Sequence, residues 1–134
     1  MSSEAQFEIV REAWAAFARN DVEAALALIH PDAIVVPFGA AMEGRSYSGH
    51  DGVRDWFLND IGSSWRQFEA EAREFRRVGD KLVVYGRWHA RGRDSGVGLE
   101  VDATWVVEIR DGKIAYWQTF TDQNEAHRFA GLRE

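Results

Sequence analysis

The fold is decided by residues 97–121, VGLEVDATWVVEIRDGKIAYWQTFT. Apolar and polar side chains alternate on both sides of Asp111-Gly112, which is typical of two β-strands joined by a tight turn. A two-residue type I′ turn would pair Arg110 with Lys113, whereas a type I turn followed by a bulge would pair Ile109 with Lys113. We favour the bulged turn, because it places one mostly apolar set of side chains on a single face. That set is Val101, Ala103, Trp105, Val107, Ala115, Trp117 and Thr119.

Four alternating runs make up the second half of the chain. Residues 66–78 and 81–92 precede the hairpin strands 97–110 and 113–121, and short turns that contain Gly separate consecutive runs. Strands that follow one another with short turns form an antiparallel meander. The second half of the chain therefore predicts one long antiparallel sheet.

The first half of the chain carries helical patterns. Residues 4–19 show one apolar stripe at helical spacing. A second helix is predicted to start at a cap on Asn20 or Asp21 and to run to His30-Pro31, and a third begins near Asp51. Residues 33–38, AIVVPF, read as a short buried strand, and a loop follows from residue 39 to 49. Helices first and strands later indicate an α+β fold, in which helices pack on one face of a strongly curved antiparallel sheet.

Asp122 stands where the last strand pattern gives way to a short helical one. A carboxylate at the open end of a strand suits either a catalytic acid or a helix cap. Asp122 begins the sequence DQNE, a form of the capping box, and apolar residues follow at helical spacing as far as Leu132. We therefore expect Asp122 to be a helix cap.

Composition limits the classes of function. The chain has 134 residues, a net charge of −6 and no Cys, so we expect a single domain over residues 1–134 without disulfides. An acidic chain repels the phosphates of nucleic acid, so binding to nucleic acid is not expected. No segment has the pattern of a membrane span or a leader peptide, which predicts a cytoplasmic protein. The His residues lack metal-ligand spacing, so no metal site is expected. No other cofactor is implied.

The order of these motifs resembles a known family. A helical hairpin, PDAIVVPFG, YSGHDGVRDWF, the meander and RDGKIAYWQTFTD follow one another over almost the whole chain. In this order they are similar to the SnoaL-like branch of the nuclear-transport-factor-2-like superfamily. The resemblance implies a cone-shaped, barrel-like α+β fold that encloses a largely apolar pocket, and often a homodimer. The superfamily includes ketosteroid isomerase, limonene epoxide hydrolase, scytalone dehydratase and polyketide cyclases as well as non-catalytic members, so the fold does not determine the function.

Most catalytic residues of these relatives have no counterpart in this chain. The resemblance places the final-strand carboxylate of limonene epoxide hydrolase and the polyketide cyclases on Thr119, and that acid is missing. The Arg-x-Asp pair of the hydrolase falls on Arg87-Trp88-His89, so that the Arg remains and the Asp is replaced. The general base of ketosteroid isomerase would fall in VVPFG, which contains no acid, and its helix-one Tyr falls near Ala13 or Trp14.

Arg87 and His89 are the candidate catalytic residues that remain. They are two residues apart in one strand, so their side chains share a face with Tyr85. If this face lines the pocket, His89 would act as the general acid or base and Arg87 would stabilise a developing oxyanion. The alternative places this row outside, where Arg and Glu residues pair on a solvated face, and turns Val84, Gly86, Trp88 and Ala90 inward.

Other His residues are expected to have local roles. His30 is expected to end a helix, where a cation suits the carbonyl end, and His50 precedes the third helix. His127 lies in the last helix beside Arg128 and is expected to be solvated.

Two functions remain open. The first is an enzyme of isomerase, cyclase, dehydratase or hydrolase type that performs acid–base chemistry on a hydrophobic ligand, which would be anionic if Arg87 faces the pocket. The second is a non-catalytic ligand-binding or scaffold protein. In both cases we expect a homodimer through the exposed sheet face, with Trp88 and Val106 as contacts. The residues expected to contact the ligand are Trp14, Tyr85, Val101, Trp105, Trp117 and Thr119.

Overall fold

Within the residues that the structure describes, six strands form one open, curved sheet. The computed structural model describes residues 2–37 and 45–132, so Phe38 and most of the predicted loop 39–49 lie outside the described residues. In chain order the strands are β1 (Ile29–Val36), β2 (Tyr47–Ser48), β3 (Trp65–Val78), β4 (Lys81–Gly92), β5 (Gly98–Arg110) and β6 (Lys113–Phe120). Their order across the sheet is β2-β1-β6-β5-β4-β3. The predicted antiparallel meander is confirmed as β3 to β6.

The helices flank the strands in sequence, as the α+β pattern predicts. They are α1 (Ser3–Ala18), α2 (Val22–Leu26), α3 (Gly49–Asp55), a π-helix (Trp56–Ile61), the single turn α4 (Gly62–Ser64), and α5 (Gln123–Ala130). Asn20, with φ at 62°, follows the end of α1, and Asp21 caps α2 by accepting a hydrogen bond from the Ala24 amide at 3.1 Å. None of the helices in the described residues is long and apolar enough to span a membrane.

The second helix is shorter than predicted. It ends at Leu26, and His30-Pro31 lies within β1. β1 pairs in parallel with β6, and its register is interrupted between Ile29 and Ile34. Pro31 falls in this interruption, where a residue without an N–H removes no ladder hydrogen bond. The prediction that His30 ends a helix is therefore wrong.

The hairpin between β5 and β6 has the turn that the sequence analysis did not favour. Arg110 pairs with Lys113, and Asp111 and Gly112 both have positive φ angles, 55° and 72°, as a type I′ turn requires. The register then shifts between Glu108 and Ile109, which leaves Ala115 as the extra residue of a bulge.

The bulge at Ala115 restores the side-chain alternation that the other turn would have produced. Val107 therefore pairs with Trp117, and Trp105 pairs with Thr119. The turn was predicted wrongly, but the grouping of these four side chains on one face was correct.

A second bulge bends the far side of the sheet. The register of β3 against β4 shifts between Ala72 and Glu74, opposite Tyr85 and Gly86. A Cβ on Gly86 would lie 1.8 Å from the carbonyl oxygen of Glu71, so the backbones approach too closely for any other residue. Bulges increase local twist, and this one contributes to the curvature of the sheet.

Different helices cover the two faces of the sheet. The inner face packs against α1 and the π-helix and includes Val84, Trp88 and Trp105. The outer face is covered in part by α5, beneath which Val83 and Val106 are fully buried. Trp88 and Val106 are 6% and 0% exposed, so the prediction that they form dimer contacts is wrong.

Candidate functional site

A cavity of about 540 Å³ opens onto the inner face of the sheet. Its walls come from α1, the π-helix and strands β3 to β6, and its volume is within the roughly 300–1,000 Å³ typical of small-molecule pockets. All six tryptophans of the chain line it. They are Trp14, Trp56, Trp65, Trp88, Trp105 and Trp117.

One group of tryptophans packs edge to face around α1. The ring of Trp14 lies 6.0 Å from Trp105 and 5.2 Å from Trp117, with interplanar angles of 74° and 68°. Trp56, from the π-helix, contacts Trp117 at 5.6 Å. T-shaped contacts of this kind suit the quadrupoles of the rings and hold each ring in one orientation. This part of the wall is therefore closely packed and largely apolar.

A second group of aromatic side chains lines the part of the wall formed by β3 and β4. Phe68 stacks on Trp88 at 5.7 Å, and Trp65 meets Trp88 at 6.2 Å. Ala70 lies next to them in the lining and leaves room between the walls. Strand alternation brings Phe68, Ala70 and Trp88 to the inner face, since Phe68 pairs with Ala90 and Ala70 with Trp88.

The open side of the cavity is polar. Arg45, Asp60, Ser63 and Ser64 belong to the lining and are exposed, so they mark the entrance. Tyr47, a half-buried residue of the lining, donates a hydrogen bond from its hydroxyl to Oδ2 of Asp60.

The sequence analysis did not identify Tyr47 or Asp60 as site residues. Asp60 lies in the π-helix, whose wider turn breaks the 3.6-residue spacing that sequence reading assumes. Single-turn π-helices are frequent at functional sites, but the sequence WFLNDI contains no residue pattern that predicts one.

Arg87 and His89 lie on the outer face, away from the cavity. Arg87 donates to Oδ1 of Asp102 from Nε at 3.0 Å and from a terminal nitrogen at 2.7 Å, and it contacts Glu100 at 3.1 Å. The hydrogen bonds that Arg87 donates to Asp102 raise the pKa of Arg87. Nδ1 of His89 lies 3.0 Å from Glu100, and Nε2 lies 3.8 Å from Glu71.

The structure therefore has the alternative orientation of β4, in which the row of Arg87 and His89 faces outward. Gly86 and Trp88 face inward, while Arg87 makes cross-strand ion pairs and His89 a cross-strand hydrogen bond on the outer face. His89 borders a separate polar groove with Glu69 and Glu100. The expectation that Arg87 and His89 line the cavity is wrong. Trp88 faces the cavity, and its neighbours in the strand project to the opposite face.

Four of the six predicted ligand-contact residues line the cavity. They are Trp14, Trp105, Trp117 and Thr119. Val101 pairs with Trp88 and packs against the core without reaching the lining. Tyr85 lies on the outer face, and its hydroxyl is 2.7 Å from Nε2 of His127.

Two helix-associated histidines have structural contacts. His127 was expected to be solvated but is 9% exposed, because α5 presses it against Tyr85. Nε2 of His50 lies 2.8 Å from the carbonyl oxygen of Ile29 and connects α3 to β1.

The fold and the cavity define this chain as an α+β protein with an apolar pocket. A model of the SnoaL-like domain matches residues 10–117. The chain therefore belongs to the SnoaL-like domain family. A comparison with curated protein sequences gives no match.

Solved structures agree with this assignment. TerC, crystallised with polyporic acid, superposes with a TM-score of 0.76 at 25% identity, over 95% of this chain and 98% of TerC. An NTF2-like protein of Burkholderia pseudomallei gives 0.75 at 24% identity, over 96% and 97%. Rv0760c of Mycobacterium tuberculosis, in complex with estradiol-17beta-hemisuccinate, gives 0.74 at 18% identity, over 90% and 95%. The last two similarities show the fold alone.

Proposed function

We propose that this protein binds a hydrophobic small molecule in the tryptophan-lined cavity. The observation that carries the proposal is the gathering of all six tryptophans around one space of about 540 Å³. Large aromatic side chains that served only the core would fill the interior, since cores pack to high density. Here they form walls instead, and an apolar ligand that leaves water for such walls gains roughly 25 cal/mol for each Å² buried.

The similarity to TerC supports the same proposal. TerC was crystallised with polyporic acid, and it covers nearly the whole of this chain at 25% identity. The walls described here come from elements inside the matched region, residues 10–117, except for Thr119.

The proposal is for binding and does not extend to catalysis by Arg87 and His89. That role required both side chains to face the cavity, and both lie on the outer face, where they contact carboxylates of the neighbouring strand. The expected preference for an anionic ligand depended on the same condition. The position of the family's strand acid is Thr119, so the final strand supplies no carboxylate to the cavity.

Two adjacent residues of β6 provide a matched test. Thr119 lines the cavity, whereas Gln118 pairs with Val106 on the outer face. We expect wild-type protein to bind the neutral fluorescent probe 1-aminoanthracene with increased emission. Thr119→Phe fills part of the cavity and should weaken binding about tenfold or more. Gln118→Phe adds the same side chain outside and should leave binding unchanged.

Fluorescence titration of the three proteins, with melting temperatures as a control for folding, decides the proposal. A wild type that does not bind the probe, or two variants that weaken it equally, would reject the cavity as the binding site.

We also propose that the protein is a homodimer that associates through the outer face. Large apolar side chains are exposed on this face, namely Ile34 at 43% and Phe129 at 44%. Ile34 pairs with Tyr116, and Tyr116 stacks on Phe129 at 5.9 Å, so these residues form one patch. An exposed apolar patch of this kind suits a symmetric contact with a second copy.

A further inference from the structure

The entrance of the cavity offers a specific pattern of hydrogen bonding. A tyrosine hydroxyl has one proton, and Tyr47 donates that proton to Oδ2 of Asp60. The oxygen of Tyr47 can then only accept a further hydrogen bond, and a carboxylate also only accepts. Both residues belong to the cavity lining. Together they present acceptors, and no donor, to a ligand in the cavity.

Within the described residues, Tyr47 is the hydrogen-bond partner of the Asp60 carboxylate, and the Ser63 hydroxyl donates to the backbone oxygen of Asp60 at 3.3 Å. The π-helix holds Asp60 at the entrance, and the same helix places Trp56 and Ile61 in the lining. One short element therefore supplies both an apolar wall and a polar acceptor.

We propose that Tyr47 and Asp60 form a specificity site that recognises a hydroxyl group on an aromatic ligand. The inference rests on the proposed function and adds the polar end of the ligand to it. The apolar body of the ligand lies among the tryptophans, and its O–H points to the entrance and donates to Asp60 and Tyr47. An ether of the same shape has no proton to donate, so it forms no hydrogen bond with either acceptor.

Arg45 is the other charged side chain in the described lining. It would favour a ligand with a carboxylate in place of the hydroxyl. The two preferences are separated by comparing three naphthalene derivatives that share one ring system, namely 2-naphthol, 2-methoxynaphthalene and 2-naphthoic acid.

The experiment measures displacement of 1-aminoanthracene by each compound. We expect 2-naphthol to bind about tenfold more tightly than 2-methoxynaphthalene, as a hydrogen bond to a charged acceptor allows. Asp60→Asn removes the negative charge and one of the two acceptor oxygens, and it should therefore reduce this difference. Asp55→Asn is the matched control, because Asp55 lies one turn earlier, accepts from Asn59 at 2.7 Å and does not line the cavity.

The outcomes separate this inference from the proposed function. Equal displacement by the naphthol and the ether, tighter binding of the acid, or an unchanged preference in Asp60→Asn would overturn the inference while cavity binding stands. Failure of wild type to bind 1-aminoanthracene and all three compounds would overturn both. A melting temperature of Asp60→Asn equal to that of Asp55→Asn shows that the comparison is between folded proteins.

Discussion

Asp122 shows how one side chain at a strand end acquires its role from local geometry. Its Oδ1 accepts hydrogen bonds from the amides of Asn124 at 2.8 Å and Glu125 at 3.4 Å. These amides are in the first turn of α5 and have no partner within the helix. Asp122 is thus an N-cap, as predicted, and it is absent from the cavity lining.

Removal of this cap should lower stability without affecting the cavity. Asp122→Ala leaves first-turn amides without their acceptor, and we expect it to cost about 0.5–2 kcal/mol of unfolding free energy. Asp122→Asn keeps an acceptor oxygen and should be nearly neutral. Urea denaturation measures both, and 1-aminoanthracene titration should give the same affinity for all three proteins. Loss of binding in a fully stable Asp122→Asn variant would contradict the cap assignment.

At the scale of elements, an exposed ion pair connects the second and third helices. Arg54 of α3 donates to both carboxylate oxygens of Glu23 in α2, at 2.9 and 3.0 Å, and also to Asp51 at 2.9 Å. The hydrogen bond from Arg54 holds the pKa of Glu23 below its ordinary value. A two-point contact of this kind orients the helices more precisely than a single charge pair.

This ion pair predicts a pH dependence. A carboxyl group with a lower pKa in the folded state stabilises that state above its unfolded pKa, and the stabilisation is lost as the pH falls through the folded pKa. Glu23→Gln should therefore melt at a slightly lower temperature than wild type at pH 7, and the difference should disappear between about pH 5 and about pH 3.

The control for this prediction is Glu12→Gln, at an exposed position of α1. It is expected to show no comparable change with pH in the same thermal melts. A Glu23→Gln difference that persists unchanged at low pH would show that the ion pair does not stabilise the fold.

For the whole molecule, the sheet separates two surfaces of different chemistry. The inner face carries the cavity, and the outer face carries both the ion-pair row around Arg87 and the apolar patch of Ile34, Tyr116 and Phe129. If ligand binding and association use opposite faces, each can be altered without the other.

Because the two faces are separate, the proposed dimer can be tested without altering the cavity. Light scattering should return twice the monomer mass for wild type, and Phe129→Glu should return the monomer mass at the same concentration, because a charge would be buried in the interface. Leu58→Glu is the control, since Leu58 is 53% exposed on the π-helix. A wild-type monomer at all concentrations would refute the dimer.

The sequence alone determined the features that depend on local spacing. Alternation in residues 66–121 predicted the four meander strands, helical spacing in residues 4–19 predicted α1, and the DQNE sequence predicted the cap at Asp122. Each of these patterns lies within a short segment, so neighbouring residues contain the information. The order of motifs also identified the family, and the lining residues Trp14, Trp105, Trp117 and Thr119 followed from the resemblance together with strand alternation.

Only the tertiary structure decided which face of β4 points inward. Tyr85, Arg87 and His89 alternate with Gly86 and Trp88, and each set contains an aromatic ring that could line a pocket, so alternation alone leaves two choices. The choice is made by long-range packing, because burying Trp88 against Phe68 removes large apolar areas from water, whereas Arg87 keeps its charge by meeting Asp102 on a solvated face. The entrance pair of Tyr47 and Asp60 also depended on the tertiary fold, since it joins β2 to the π-helix across thirteen residues.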